Sequence, residues 1–397
     1  MRFSALDGWR GLFAIFVVLG HFPAFLVLEN GPTVVAGSVM VDMFFILSGF
    51  VIMVGYEERF AQGYDVRRFL LGRLGRIYPI HLALLLAFVL TEVVLAFVTE
   101  HMSINQRVPF TGDRSIWAIF TNLALIQSFN IHDTLTWNFP AWSLSTEWAA
   151  YLLFALAMLV RPGKTLPFAV FGAVFAAGVL YVATPRPMQA TYDFGVFRSI
   201  YGFALGVIGY YIFRCIENRN LQTKVGRSTF TALEIVTVFL TFALPAITGP
   251  TRWQLFIPPF YMCAILLFAF QGGVVSSLLS TRFMVYLGTI SLSIYVCHIF
   301  FMFRLVNVFE VLQKWTGMTF IEIIHFDGGS AKFLSLHPLV LYPLAVAFVA
   351  FIIVFSHFTR QFIEIPGGRW FRSLANRFPA QQVVDESQVQ PVGGLTK

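Results

Sequence analysis

The chain has 397 residues, 57% of them hydrophobic and only 12% charged, with 46 Phe and a formal net charge of +7. A soluble domain carries about twice that share of charge, so the composition excludes a string of soluble domains and points to one helical bundle solvated by lipid. The positive balance is not a nucleic-acid signal, because Lys and Arg in a membrane protein mark its cytoplasmic loops; Cys215, Cys263 and Cys297 lie in or beside apolar runs and offer neither metal spacing nor a disulfide framework.

The first apolar run, 8–28, is long enough to cross a bilayer as a helix. It is longer than the core of a secretory signal and no small-x-small cleavage site follows, so an uncleaved first span is expected. Arg10 and His21 are eleven residues apart, which puts them on one helix face and roughly 16 Å apart along its axis. Asp7 lies one turn before Arg10, within reach of an i,i+3 ion pair. A polar stripe on a membrane helix must face protein or water.

Further runs at about 36–56, 76–99, 142–160, 167–184, 194–214, 229–248, 254–271, 283–305 and 338–358 bring the expected spans to ten. The short run 115–129 holds Thr121, Asn122 and Gln127 and reads as a re-entrant or interfacial helix. Charge supports that choice. With ten spans and a cytosolic N-terminus, most of the 27 Lys and Arg fall in inner segments. An eleventh crossing would put the basic loop 214–227 and the tail after Arg360 outside, against the positive-inside rule. Both termini are therefore expected in the cytosol. Outer segments 100–141 and 306–337 are long for connectors, and long loops are often functional. The expected organisation is one transmembrane domain, 1–378, and a disordered cytosolic tail, 379–397.

Span directions set expected depths. His21, Asp42, Glu92, Glu147 and His298 fall toward the outer side; Arg73 and Arg76, preceded by Arg67 and Arg68, fall at the inner start of the third span. Arg presents a fixed fork of donors suited to phosphate, although the same arginines also satisfy positive-inside or bind lipid headgroups. A His and carboxylate cluster suits proton transfer. Lone histidines such as His81 and His357 more often serve packing or hydrogen bonding. Ser291, Tyr295 and His298 share one stripe. Ser48-Gly49, within Phe44 to Phe50, permits close approach of a helix or of a thin ligand. Ser143 and Glu147 share a face after Trp142.

These stretches resemble acyltransferase family 3, integral membrane O-acyltransferases that decorate cell-surface glycans. Leu6 to Arg10 with His21 is similar to the family's Arg-x10-His motif. Phe44 to Phe50 resembles F-F-x-L-S-G-F, and Arg73 to Pro79 resembles R-x-x-R-x-x-P. Trp142 to Glu147 resembles W-S-L-x-x-E, with Thr146 where a small apolar residue is expected. Ser291 to His298 resembles S-x-x-x-Y-x-x-H, and Glu364-Ile365-Pro366 the closing E-x-P. The resemblance spans Leu6 to about Pro366. It implies an all-α polytopic enzyme of the cytoplasmic (inner) membrane, with acyl-CoA, most often acetyl-CoA, as co-substrate and no metal.

By the same resemblance, Arg73 and Arg76 hold the CoA phosphates, and Ser48 and Gly49 border its pantetheine arm. His21 acts as general base or carries the acyl group, with Arg10 and Glu147 beside it. Asp42, Trp142 and Ser143 serve the acceptor, a cell-surface glycan or lipid-linked saccharide, and Tyr295 and His298, like Glu147, bind that acceptor or tune His21. Partners then include membrane lipids and no nucleic acid, with room for a homo-oligomer. Some members carry a C-terminal extracytoplasmic esterase-like domain; the residues after Pro366 are too few for one, so any second transfer step is expected to fall to a separate partner. Two other readings stay open: O-acylation of a lipid or small molecule, and a proton-coupled transporter, since intramembrane His, Asp and Glu also form proton relays. A transporter more often shows an internal repeat and paired broken helices.

Overall fold

The computed structural model describes residues 2–23, 32–102, 108–160, 164–326 and 329–378. The expected tail 379–397 and the end of the first apolar run lie outside the described residues. Helix α1 spans Ser4–His21, α2 Pro32–Ala61 and α3 Val66–Met102. After a short α4, Ile116–Leu123, come α5 Trp142–Val160, α6 Thr165–Ala183, α7 Gly195–Asn218, α8 Arg227–Thr248 and α9 Ile257–Ala269. A one-turn helix α10, Val274–Leu279, leads into α11, Arg282–Thr316. The chain closes with α12, Pro338–Thr359, and α13, Ile365–Ala375.

Among the described residues nine helices are long and apolar enough to cross a membrane, and they match the second to tenth expected runs. Helix α1 is not among the nine; Asp7, Arg10 and His21 lower the hydropathy of its 18 residues. The chain is thus an all-α polytopic membrane bundle. Helix α6 shows how lipid solvates its rim: Phe171, Val174, Phe175 and Val182 stay exposed, as apolar side chains can when the solvent is hydrocarbon.

Small residues set the two closest helix contacts. A Cβ on Gly288 of α11 would lie 2.0 Å from the Asp7 carbonyl oxygen of α1. A Cβ on Gly206 of α7 would lie 1.9 Å from the Ile46 carbonyl oxygen of α2. No side chain fits at either place, so glycine lets the backbones approach, as membrane helices without a hydrophobic driving force require. The first contact fixes α1 against α11, and so brings the Arg10–His21 stripe beside the Ser291–His298 stripe.

Helix α3 is a ruler for the segment 108–141. The Glu92 carboxylate accepts the Phe110 N–H at 3.0 Å and pairs with Arg114. Tyr78 donates to the Leu123 carbonyl at 3.1 Å, and His81 Nε2 bonds the Asn122 carbonyl at 2.9 Å. Tyr78 and Glu92 are roughly 21 Å apart along a helix. The segment therefore descends the length of α3 and returns, where Trp137 N–H meets the Asp113 carbonyl. Of the two expected forms, re-entrant or interfacial, the structure has the re-entrant one.

The segment after α11 holds an element the sequence reading lacked. Strands β1, Ile321–Phe326, and β2, Gly329–Leu334, form an antiparallel hairpin with Ile321 opposite Leu334. Its root packs on α1: Leu334 N–H bonds the Pro23 carbonyl, and Ile321 and Leu334 share a cluster with Val18 and Phe22. A run rich in β-branched residues before Gly328-Gly329 was the available signal. Between α12 and α13, Arg360–Glu364 forms one π-helical turn, a distortion frequent at functional sites.

Candidate active site

Helices α1, α2, α3, α5 and α11 enclose a cavity of about 90 Å³, room for several water-sized groups. Arg10, Arg73 and Arg76 line it, with Ser48, Ser143, Glu147, Tyr151, Ser291 and Tyr295. Periodicity explains the set: Arg73 and Arg76 are three apart on α3, and Ser143, Glu147 and Tyr151 are four apart on α5, so each group shares a face.

The arginines are only partly satisfied. Arg73 Nη2 donates to the Tyr56 hydroxyl at 3.1 Å, and the guanidinium lies over the Tyr56 and Phe69 rings. Its buried Nε–H has no hydrogen-bond partner among the described residues. Arg10 reaches Asp7 at 3.9 Å, a loose pair, since Asp7 also holds Arg2 at 3.3 Å. Arg76 is exposed and enters no hydrogen bond or ion pair among the described residues. An orphaned N–H and loosely paired guanidiniums suit a polyanion, because buried donors left unmet are costly.

Glu147 is the carboxylate of this cavity. Its Oε1 accepts from the Ser48 hydroxyl at 2.8 Å and the Tyr151 hydroxyl at 2.5 Å. At the far side, the Ser143 and Tyr295 hydroxyls lie 3.0 Å apart, both within reach of the Pro140 carbonyl. The Phe44 and Tyr295 rings, 6.1 Å apart, close this side of the cavity.

Beyond Tyr295 stand two imidazoles. The His298 ring is 6.2 Å from the Tyr295 ring and 5.1 Å from the His21 ring. His298 is fully buried, whereas His21, the last residue of α1, is exposed. His21 Nδ1 lies 2.8 Å from the Val17 carbonyl and His298 Nδ1 2.7 Å from the Tyr295 carbonyl. Neither imidazole lines the cavity of the arginines.

The expected His and carboxylate cluster is therefore not assembled; its acids are spent elsewhere. Asp42 is not open to the cavity, because Arg198 of α7 grips both its oxygens at 2.9 Å and both side chains are buried. Trp142 lies under the Arg198 guanidinium, 5.2 Å from it, and also stays out of the cavity. Glu92 holds the re-entrant segment. Gly49 meets the backbone of Phe203, where a Cβ would come within 2.1 Å, so it serves a helix contact and not a ligand. His357 pairs with Tyr286, away from the cavity.

Sequence reasoning missed Tyr151 and Arg198. Tyr151 lies one turn after Glu147 on the same face, which was a readable signal. Arg198 lies inside the expected run 194–214, and a buried Asp and Arg of opposite sign in one bundle are expected to pair. Glu364 accepts from Ser293, itself bonded to Thr359 at 2.8 Å, and so joins the π-helical turn to α11. Among the described residues no group of three His, Cys, Asp or Glu is arranged to hold a metal ion.

Comparison with known proteins identifies the family. Residues 3–358 match a family model described as an acyltransferase domain. "Protein 2 in picA locus" of Rhizobium radiobacter is 30% identical over 161 residues, 39% of this chain and 81% of that protein. Acyltransferase MdmB of Streptomyces mycarofaciens is 33% identical over 30% of this chain and 28% of its own length. Peptidoglycan O-acetyltransferase OatA of Listeria monocytogenes is 25% identical over 51% of this chain. The alignments span only about a third or less of MdmB and OatA (28% and 33%). No solved structure matches. With the family model covering nearly its whole length, the chain belongs to acyltransferase family 3.

Proposed function

We propose that the protein transfers an acyl group, acetyl in the simplest case, from cytosolic acyl-CoA to a hydroxyl of a glycan on the other side of the cytoplasmic membrane. The observation that carries this reading is the span of α1. Its Arg10 faces a cavity shared with Arg73 and Arg76, and its His21 ends the same helix roughly 16 Å on. The arginine end faces the cytosol, with both termini, in keeping with positive-inside. The name of the relative OatA, peptidoglycan O-acetyltransferase, supports a glycan acceptor; a lipid-linked saccharide is the membrane-bound form of it.

In this reading Arg10, Arg73 and Arg76 hold the CoA phosphates, and the slim thioester arm passes Ser48 and Glu147. It reaches the imidazoles past Phe44 and Tyr295, whose rings must part. His21 Nε2 takes the proton of the acceptor hydroxyl as its oxygen attacks the thioester carbonyl. The C–S bond breaks and CoA leaves as the thiolate. In the alternative order His21 Nε2 itself attacks, and the acyl-imidazole is then discharged to the hydroxyl.

Purified protein in detergent, supplied with acetyl-CoA and membrane saccharide, tests the reading through release of free thiol. Thiol release that depends on Arg73 and His21 is expected. No consumption with any glycan acceptor would favour a transporter instead.

A further inference from the structure

His298 is a buried polar group with a lone pair and nowhere to put it. Its Nδ1 contacts the Tyr295 carbonyl, an oxygen that can only accept, so Nδ1 carries the proton and Nε2 does not. That Nε2 is buried and has no hydrogen-bond partner among the described residues. The same logic applies to His21: Nδ1 contacts the Val17 carbonyl, so its Nε2 is also an acceptor. Each ring turns Nδ1 back onto its own helix and its Nε2 edge away from it. The rings are 5.1 Å apart across the tight α1–α11 contact. Among the described residues no Asp, Glu, Lys or Arg side chain bonds either ring. The acceptor nitrogen of His298 is thus buried without a donor, a costly state, and the imidazole beside it is that of His21, exposed at the end of α1.

We propose that His298 is the proton-sharing partner of His21: the pair holds a single proton between its Nε2 atoms once a hydroxyl has been deprotonated. Resting on the acyl-transfer reading, this gives the step its balance. The O–H bond of the acceptor breaks, an N–H bond forms at His21, and the positive charge is spread onto His298 by an N–H···N bond. No carboxylate is then needed beside His21, which fits the dispersal of Asp42, Glu92 and Glu147 to other partners. His298 acts through His21 and is a positioning residue.

The test is ring-nitrogen NMR of the full chain labelled with 15N-histidine in lipid nanodiscs, at a pH where the pair has taken up its proton. One downfield proton coupled to two Nε2 nitrogens is expected, absent in both His21→Gln and His298→Gln. Turnover of acetyl-CoA should fall about 10²-fold in His298→Gln, with KM for acetyl-CoA unchanged. Independent Nε2 resonances across the titration overturn the pairing, and so does full turnover in His298→Gln. His298→Phe, which keeps the ring volume, controls for packing. The signal is read without acyl donor, so wild-type protein that consumes no acetyl-CoA tells against the donor reading, while the nitrogen signal still decides the pair.

Discussion

Arg198 closes on Asp42 with two parallel hydrogen bonds of 2.9 Å, and neither side chain is more than 1% exposed. The pair joins α7 to α2 and supports Trp142 at the head of α5. It thus sets the height of Ser143 and Glu147 without touching the cavity they line.

Breaking such a pair leaves one uncompensated charge in a buried interior. Asp42→Asn or Arg198→Met should therefore destabilise the fold by about 3–5 kcal/mol. The double variant Asp42→Leu with Arg198→Met should recover most of it, since a buried pair and an apolar isostere are often close in free energy. Thermal unfolding in detergent checks both. A single variant as stable as wild type would contradict the structural role assigned to the pair.

The arginine cavity predicts a separation of kinetic constants. Arg73→Ala and Arg76→Ala each remove charge-assisted hydrogen bonds, worth about 1.5–3 kcal/mol apiece. KM for acyl-CoA should rise roughly 10- to 150-fold with kcat nearly unchanged. Dephospho-CoA thioesters, which lack one phosphate, should lose less when the same arginine is absent. Unchanged KM in both variants would move the donor phosphates elsewhere.

Glu147 and Tyr151 share one short hydrogen bond but are assigned different weights. Tyr151→Phe leaves Ser48 bonded to the carboxylate, so a loss of about 1 kcal/mol in stability and less than tenfold in turnover is expected. Glu147→Gln keeps the shape but loses the charge that strengthens the Ser48 and Tyr151 hydrogen bonds; at about 1.5–3 kcal/mol for a charge-assisted bond, turnover should fall roughly 10- to 150-fold. Equal small effects would reduce Glu147 to a structural bridge.

The α1–α11 contact makes a packing prediction. Gly288→Val would press side-chain atoms into the Asp7 backbone, an overpacking that costs about 1–3 kcal/mol or more. Because the same contact seats His21 beside His298, activity should fall further than thermal stability does. Parallel losses would mean that the imidazole pair tolerates displacement.

Hydrophobic run length made the spans readable, since a bilayer imposes about 20 residues on any helix that crosses it. Charge placement kept segment 115–129 from being counted as a crossing, but could not choose between a helix lying on the surface and one returning into it. That choice rests on contacts of Glu92, His81 and Tyr78, which no local pattern encodes. The cavity residues Arg10, Arg73, Arg76 and Glu147 were legible because each shares a helix face with another polar residue, and Ser48 through the Phe44–Phe50 resemblance. Depth alone misled for Asp42: matching heights do not say which neighbour is nearer, and Arg198 of another helix took it. The hairpin 321–334 was hidden because a long segment between two spans was read only as a connector.

The most direct test of the account is acyl transfer by His21→Ala, scored together with membrane insertion and acyl-CoA binding. The account predicts a correctly inserted protein that binds acetyl-CoA near wild-type affinity but acylates no surface glycan, seen by mass spectrometry of the saccharides. Wild-type levels of acylated glycan in that variant would contradict it.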